Sequence, residues 1–125
     1  MRKRVMVVDD SMLVQFQIQN ILSGSGYEIA ACCWTGEEAL HRYEQIAPDV
    51  VTMDMVMPGM SGLETARAIL RDHNDARIVM VSAQSQEDGG ETSQKAREIG
   101  AMGFLDKPVQ GIQLLAALDY ATAGQ

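Results

Sequence analysis

Cysteine is scarce in this chain: two among 125 residues, the neighbours Cys32 and Cys33. Adjacent thiols cannot staple distant segments together, so a disulfide framework is excluded, and both are expected to be reduced thiols, one of them buried. Histidine is equally sparse. His41 and His73 fall in helical stretches with no matching partners, which rules against a zinc site and leaves both as solvated surface residues. No apolar run approaches the ~18 residues of a membrane span. The start, Met1-Arg2-Lys3-Arg4, leads into only four apolar residues before Asp9, too few for an export signal, so a cytoplasmic location is expected. Positive charge is also in deficit. Ten Lys and Arg stand against seventeen Asp and Glu, a formal charge of −7, which argues against nucleic acid and anionic membrane as partners.

What is present is a regular alternation. With 46% hydrophobic and 22% charged residues the chain is an ordinary globule, and its length suits one domain. Val5 to Val8, Val50 to Met53 and Ile78 to Val81 are β-rich runs without polar alternation, as strands buried on both faces would be. Glu28 to Cys33 and Gly103-Phe104-Leu105 are weaker candidates. Each run precedes a helical pattern. Ser11 is placed to cap a helix with Val14, Ile18, Ile21 and Leu22 on one stripe, ended by Gly24 or Gly26. Thr35-Gly36-Glu37-Glu38 reads as a capping box before Ala39, Leu40, Tyr43 and Ile46. A third helix runs from about Gly62 through Leu63, Ala66, Ile69 and Leu70. The fourth is weak: a polar loop from Gln84 to Gln94 precedes a short helix at about Thr92 to Ile99, which Gly100 ends. The fifth follows Pro108 with Ile112, Leu115, Ala116 and Tyr120 as its apolar residues. Strand–helix alternation repeated five times, joined by right-handed crossovers, gives an α/β fold with a doubly wound parallel sheet.

In such a sheet, ligands bind at the carboxyl ends of the strands. Those ends carry Asp9-Asp10, Asp54, Ser82 and Asp106-Lys107. Two carboxylates about 4 Å apart repel by roughly 4 kcal/mol at an effective dielectric near 20, so three together call for a cation. Oxygen ligands of this kind suit Mg2+, which takes one or two carboxylates, waters and a phosphate. Lys107 can set a point charge beside a phosphoryl group and Ser82 can donate to its oxygens, which makes Asp54 the candidate nucleophile.

Four segments, in order and each at a strand end, resemble the receiver domains of two-component response regulators: Asp9-Asp10-Ser11, Asp54 through Gly62, Val81-Ser82-Ala83, and Gly100 through Pro108. The resemblance covers the whole chain and implies a flavodoxin-like five-stranded sheet of order 2-1-3-4-5 with five helices. It implies one receiver domain over 1–125, with 122–125 as a frayed tail. Asp54 would be the phosphoacceptor, taking its group from a histidine kinase or a histidine phosphotransfer protein. Asp10, Asp54 and the carbonyl of Val56 would ligate Mg2+, with Asp9 acting chiefly through water. Lys107 would be the amine, Ser82 the switch hydroxyl and Phe104 the aromatic switch, and the bond before Pro108 would be cis. The chain would catalyse only its own phosphorylation and dephosphorylation, as a monomer or weak dimer, most simply as a stand-alone regulator; the alternative is a receiver within a multidomain regulator or hybrid kinase.

The stretch from Ser82 to Gly100 is about three residues longer than in the chemotaxis form, which leaves the output surface of helix 4, strand 5 and helix 5 open. Phe104 lacks a hydroxyl, and the alternative to a switch is a packed core aromatic. Val56 and Gln84 fall where the family tunes phosphoryl lifetime, and Val56 offers attacking water no side-chain hydrogen bond. Phe16 lies off the apolar stripe of the first helix; it either packs on the fifth helix or joins Leu13 in a docking surface for a four-helix phosphotransfer partner. Two other functions fit less well. A haloacid-dehalogenase phosphatase needs a second Asp where Val56 stands, and a flavodoxin-like nucleotide binder would not place Asp9-Asp10 where phosphate must sit.

Overall fold

The computed structural model describes residues 2–83 and 90–124. Strands β1 (Lys3–Val8), β2 (Tyr27–Cys33), β3 (Val50–Asp54), β4 (Ile78–Ser82) and β5 (Gly103–Asp106) alternate with helices α1 (Met12–Leu22), α2 (Gly36–Ile46), α3 (Gly62–Asp72), α4 (Glu91–Glu98) and α5 (Gly111–Thr122). The strands pair in parallel in the order β2-β1-β3-β4-β5, the expected doubly wound sheet. Every residue of β3 and β4 is buried, because helices cover both faces of the sheet centre. Successive side chains divide between the faces. Met6, Val8, Val51, Met53 and Met80 pack with Ala39, Tyr43, Ala66, Ile69 and Ala96 from α2, α3 and α4. Val5, Val7, Val50, Val79 and Val81 pack with Val14, Ile18, Leu22, Leu114 and Leu118 from α1 and α5.

Helix starts follow local chemistry. Ser11 caps α1 by accepting from Val14 N–H at 3.3 Å. Thr35 accepts from Glu38 N–H, but Glu38 reaches back to Trp34 N–H at 2.7 Å rather than to Thr35, so the expected box is shifted by one residue. The reciprocal box belongs to α3, where Ser61 and Glu64 satisfy each other's backbone. Helix α4 lies one residue earlier than expected and buries only Ala96; residues 84–89 of the polar loop before it, Gln84 included, lie outside the described set.

Three further expectations are corrected. The buried stripe of α5 is Leu114, Leu118, Ala121 and Thr122, whereas Ile112 and Tyr120 are 87% and 74% exposed. Both sets recur at helical spacing; contact with α1 and the sheet, which periodicity alone does not reveal, selects the first. Thr122 is part of the core rather than of a frayed tail. Its hydroxyl donates to Leu118 C=O at 2.8 Å and accepts from Lys3 Nζ at 3.0 Å, while Tyr27 donates to Asp119 at 2.6 Å. This clasp joins the start of β1 and β2 to the end of α5. His73, expected in solvent, is half-buried with its ring 4.9 Å from that of Tyr43.

Candidate functional site

The parallel order carries each strand's last residues to one edge. Asp9 and Asp10 follow β1, Asp54 ends β3, Ser82 ends β4, and Lys107 follows β5. One carboxylate oxygen from each of Asp9, Asp10 and Asp54 lies within 4.8 Å of the others. Asp9 and Asp54 are 2% and 4% exposed and Asp10 faces solvent. Lys107 reaches across from the end of the edge strand β5, past β4, its Nζ 3.1 Å from Asp9 Oδ2 and 3.2 Å from Asp54 Oδ1. Asp54 pairs with Val81 in register, so the buried Ser82 stands one residue beyond it on the adjacent strand. Lys107 N–H donates to Ser82 C=O at 2.9 Å, and the bond to Pro108 is cis. Asp9, Asp10, Asp54, Ser82 and Lys107 are thus brought to one edge, as their places at strand ends require.

Three carboxylates against one ammonium leave the pocket short of positive charge. At 4.8 Å each carboxylate pair repels by about 3.5 kcal/mol at an effective dielectric near 20. Burial, then repulsion from Asp9, pushes the Asp54 carboxyl up to about 6, although Lys107 and the N–H of Val56 pull the other way. Burial alone would lower the Lys107 ammonium, but Asp54 and Asp9 outweigh it and raise its pKa. The donor set, all oxygen and two-thirds buried, fits a hard divalent cation such as Mg2+.

The model of the response regulator receiver domain matches residues 5–119. The chain belongs to the response regulator receiver domains. It is 35% identical to the chemotaxis protein CheY of Thermotoga maritima over 119 residues, 95% of this chain and 97% of that one. Among solved structures, it superposes on the response regulator domain of Thermotoga maritima CheB with a TM-score of 0.90 and 28% identity, covering 100% of this chain and 99% of that one. It also matches the CheX–CheY–BeF3–Mg complex of Borrelia burgdorferi with a TM-score of 0.86 and 29% identity over 94% of this chain and 87% of that one. It is a CheY-like module of two-component signalling.

In this receiver the remaining expected residues lie on the loop after β3, on β5 and on α1. Val56 is 59% exposed on the loop after Asp54, and Phe104 is half-buried against the core at Met80's neighbour position on β5. Phe16 stands outside both core clusters. It is 60% exposed and shares one end of α1 with Met12 and Leu13, 76% and 65% exposed. Among the described residues no helix is long and apolar enough to cross a membrane.

Three contacts at the site escape a reading of motifs alone. Gly62 brings the start of α3 so close to β3 that a Cβ there would collide with the carbonyl of Asp54. Glu37, from the first turn of α2, accepts from Met60 N–H at 3.2 Å and so holds the loop that follows Asp54. Gln15, buried in α1 at 2% exposure, directs its amide at the end of β1. A polar residue beside the apolar stripe of α1 was the available signal for Gln15. Nothing local marks the other two contacts, which depend on tertiary approach.

Proposed function

We propose that Asp54 is a phosphoacceptor: one carboxylate oxygen forms an O–P bond as the N–P bond of a donor phosphohistidine breaks and the imidazole leaves. The observation that carries this reading is the buried Asp54 carboxylate, 3.2 Å from Lys107 Nζ and within 4.8 Å of two further acidic oxygens. Asp10, Asp54 and the backbone carbonyl of Val56 would hold Mg2+, with Asp9 acting through water; the ion supplies charge neutralisation when bound. Lys107 is poised to balance charge on the transferred group, and the Ser82 hydroxyl is placed to donate to it. The protein needs only to position and neutralise, so it catalyses its own phosphorylation and hydrolysis and turns over no separate substrate.

Partners follow from two surfaces. Met12, Leu13 and Phe16 form an exposed apolar patch beside the acidic pocket, suited to a histidine kinase or histidine phosphotransfer protein delivering the group at Asp54. On the far side, α4, β5 and α5 border a groove of about 790 Å3 lined by Arg77, Ser93, Arg97, Met102, Phe104 and Tyr120. Phe104 connects this groove to the sheet, so its inward rotation when Ser82 engages the phosphoryl group would alter the surface offered to a downstream target. Both free-standing regulators and receivers inside larger proteins resemble the chain, and the mass of the native polypeptide distinguishes the two.

Incubation with a small phosphodonor and Mg2+ tests the central claim by intact-mass measurement. One phosphoryl group should add to the protein and none to Asp54→Asn. Equal labelling of the variant overturns the assignment.

A further inference from the structure

Asp9 is held at every one of its polar atoms. Its N–H donates to Cys33 C=O at 3.1 Å, its Oδ1 accepts from Ser11 N–H at 2.8 Å, and its Oδ2 meets Lys107 Nζ at 3.1 Å. The fourth atom, its carbonyl oxygen, lies past the end of the β1 ladder and accepts from Gln15 Nε2 at 3.2 Å. The same Nε2 reaches Cys33 C=O at 3.0 Å and Val7 C=O at 3.3 Å. Three carbonyls converge on one amide nitrogen, which settles its orientation: reversed, Gln15 would turn an oxygen toward three other oxygens with no proton between them. The cost of that choice is visible at Oε1, buried with no partner among the described residues.

The Asp9 carbonyl is half of the planar peptide that joins Asp9 to Asp10. Anchoring its oxygen fixes ψ of Asp9 and φ of Asp10 together, and with them the direction in which the Asp10 carboxylate leaves the backbone. Asp10 itself is exposed, so the backbone supplies the orientation that packing does not. We propose that Gln15 is a positioning residue for the cation pocket, acting through the Asp9–Asp10 peptide rather than by touching ion or phosphoryl group. The proposal rests on the reading of Asp9, Asp10 and Asp54 as an Mg2+ site.

Gln15→Met keeps length and bulk while removing the amide. Calorimetric titration with MgCl2 should show affinity weakened about tenfold, the range in which groups supporting metal ligands act. Leu118→Ala, which loosens the core without touching Asp9, should bind Mg2+ as the unsubstituted protein does. A Gln15→Met protein that melts lower yet binds Mg2+ with unchanged affinity overturns the proposal, since its role would then be packing alone. Absence of Mg2+ binding by the unsubstituted protein would instead bring down the cation site itself, and this inference with it. NMR of the unsubstituted protein requires no variant to fold. The Gln15 side-chain amide should shift along the Mg2+ titration with the same midpoint as the Asp10 amide, and a resonance that stays still also overturns the proposal.

Discussion

Replacing Asp54 by Asn should make the metal-free protein more stable. Burial and Asp9 lift this carboxyl from its ordinary 3.8 to about 6. The folded protein therefore holds the proton more tightly than the unfolded chain does. Its contribution to stability is fully present below about pH 4 and is lost as pH rises through about 6. The interval from 3.8 to about 6, at about 1.4 kcal/mol per pH unit, amounts to about 3 kcal/mol of destabilisation at pH 7.5. Asn is neutral and nearly isosteric, and Lys107 keeps its partner Asp9 at 3.1 Å, so the substitution removes repulsion without stranding the amine. Chemical denaturation in EDTA from pH 4 to 8 reads the effect. Asp54→Asn should exceed the parent by 2–3 kcal/mol at pH 7.5, on the order of 10 °C in Tm for a domain of this size. The two should converge near pH 4. Mg2+ at about 100 times its Kd should return about 2.7 kcal/mol to the parent and less to the variant. Equal stabilities across the pH range, or a less stable variant at pH 7.5, would refute the electrostatic account of the pocket.

Thr52 is 1% exposed and its hydroxyl has no partner among the described residues; Thr52→Val should raise stability by about 1 kcal/mol in urea denaturation. Gly62→Ala forces a methyl against the Asp54 carbonyl, and a loss of about 2–3 kcal/mol with weakened Mg2+ binding is expected from melts and titration. Leu114→Ala should cost about 2–5 kcal/mol, whereas Ile112→Ala should change stability by less than about 0.5 kcal/mol; the same denaturation series measures both.

The strands and the residues at their ends were legible because each depends on its own segment. Val50 to Met53 is β-rich without polar alternation, as a strand covered on both faces would be, and the residue that follows it must then lie at the carboxyl edge. Helix α5 was misread because Ile112 and Tyr120 repeat as regularly as Leu114 and Leu118; only the position of α1 decides between them. Thr122 looked like a loose end because its partners, Lys3 and Tyr27, lie 119 and 95 residues away. The support that Gln15 and Glu37 give the site is hidden for a similar reason, since their targets are backbone atoms, whose identity no side-chain pattern records.

The clasp of Lys3, Tyr27, Asp119 and Thr122 sets Lys3 beside Thr122, on the rim opposite the carboxylates. A linker of a few residues could bridge them, so a circularly permuted variant opened elsewhere should keep its architecture. A module spliced on beside Lys3 or Thr122 would likewise hang away from the carboxylate edge.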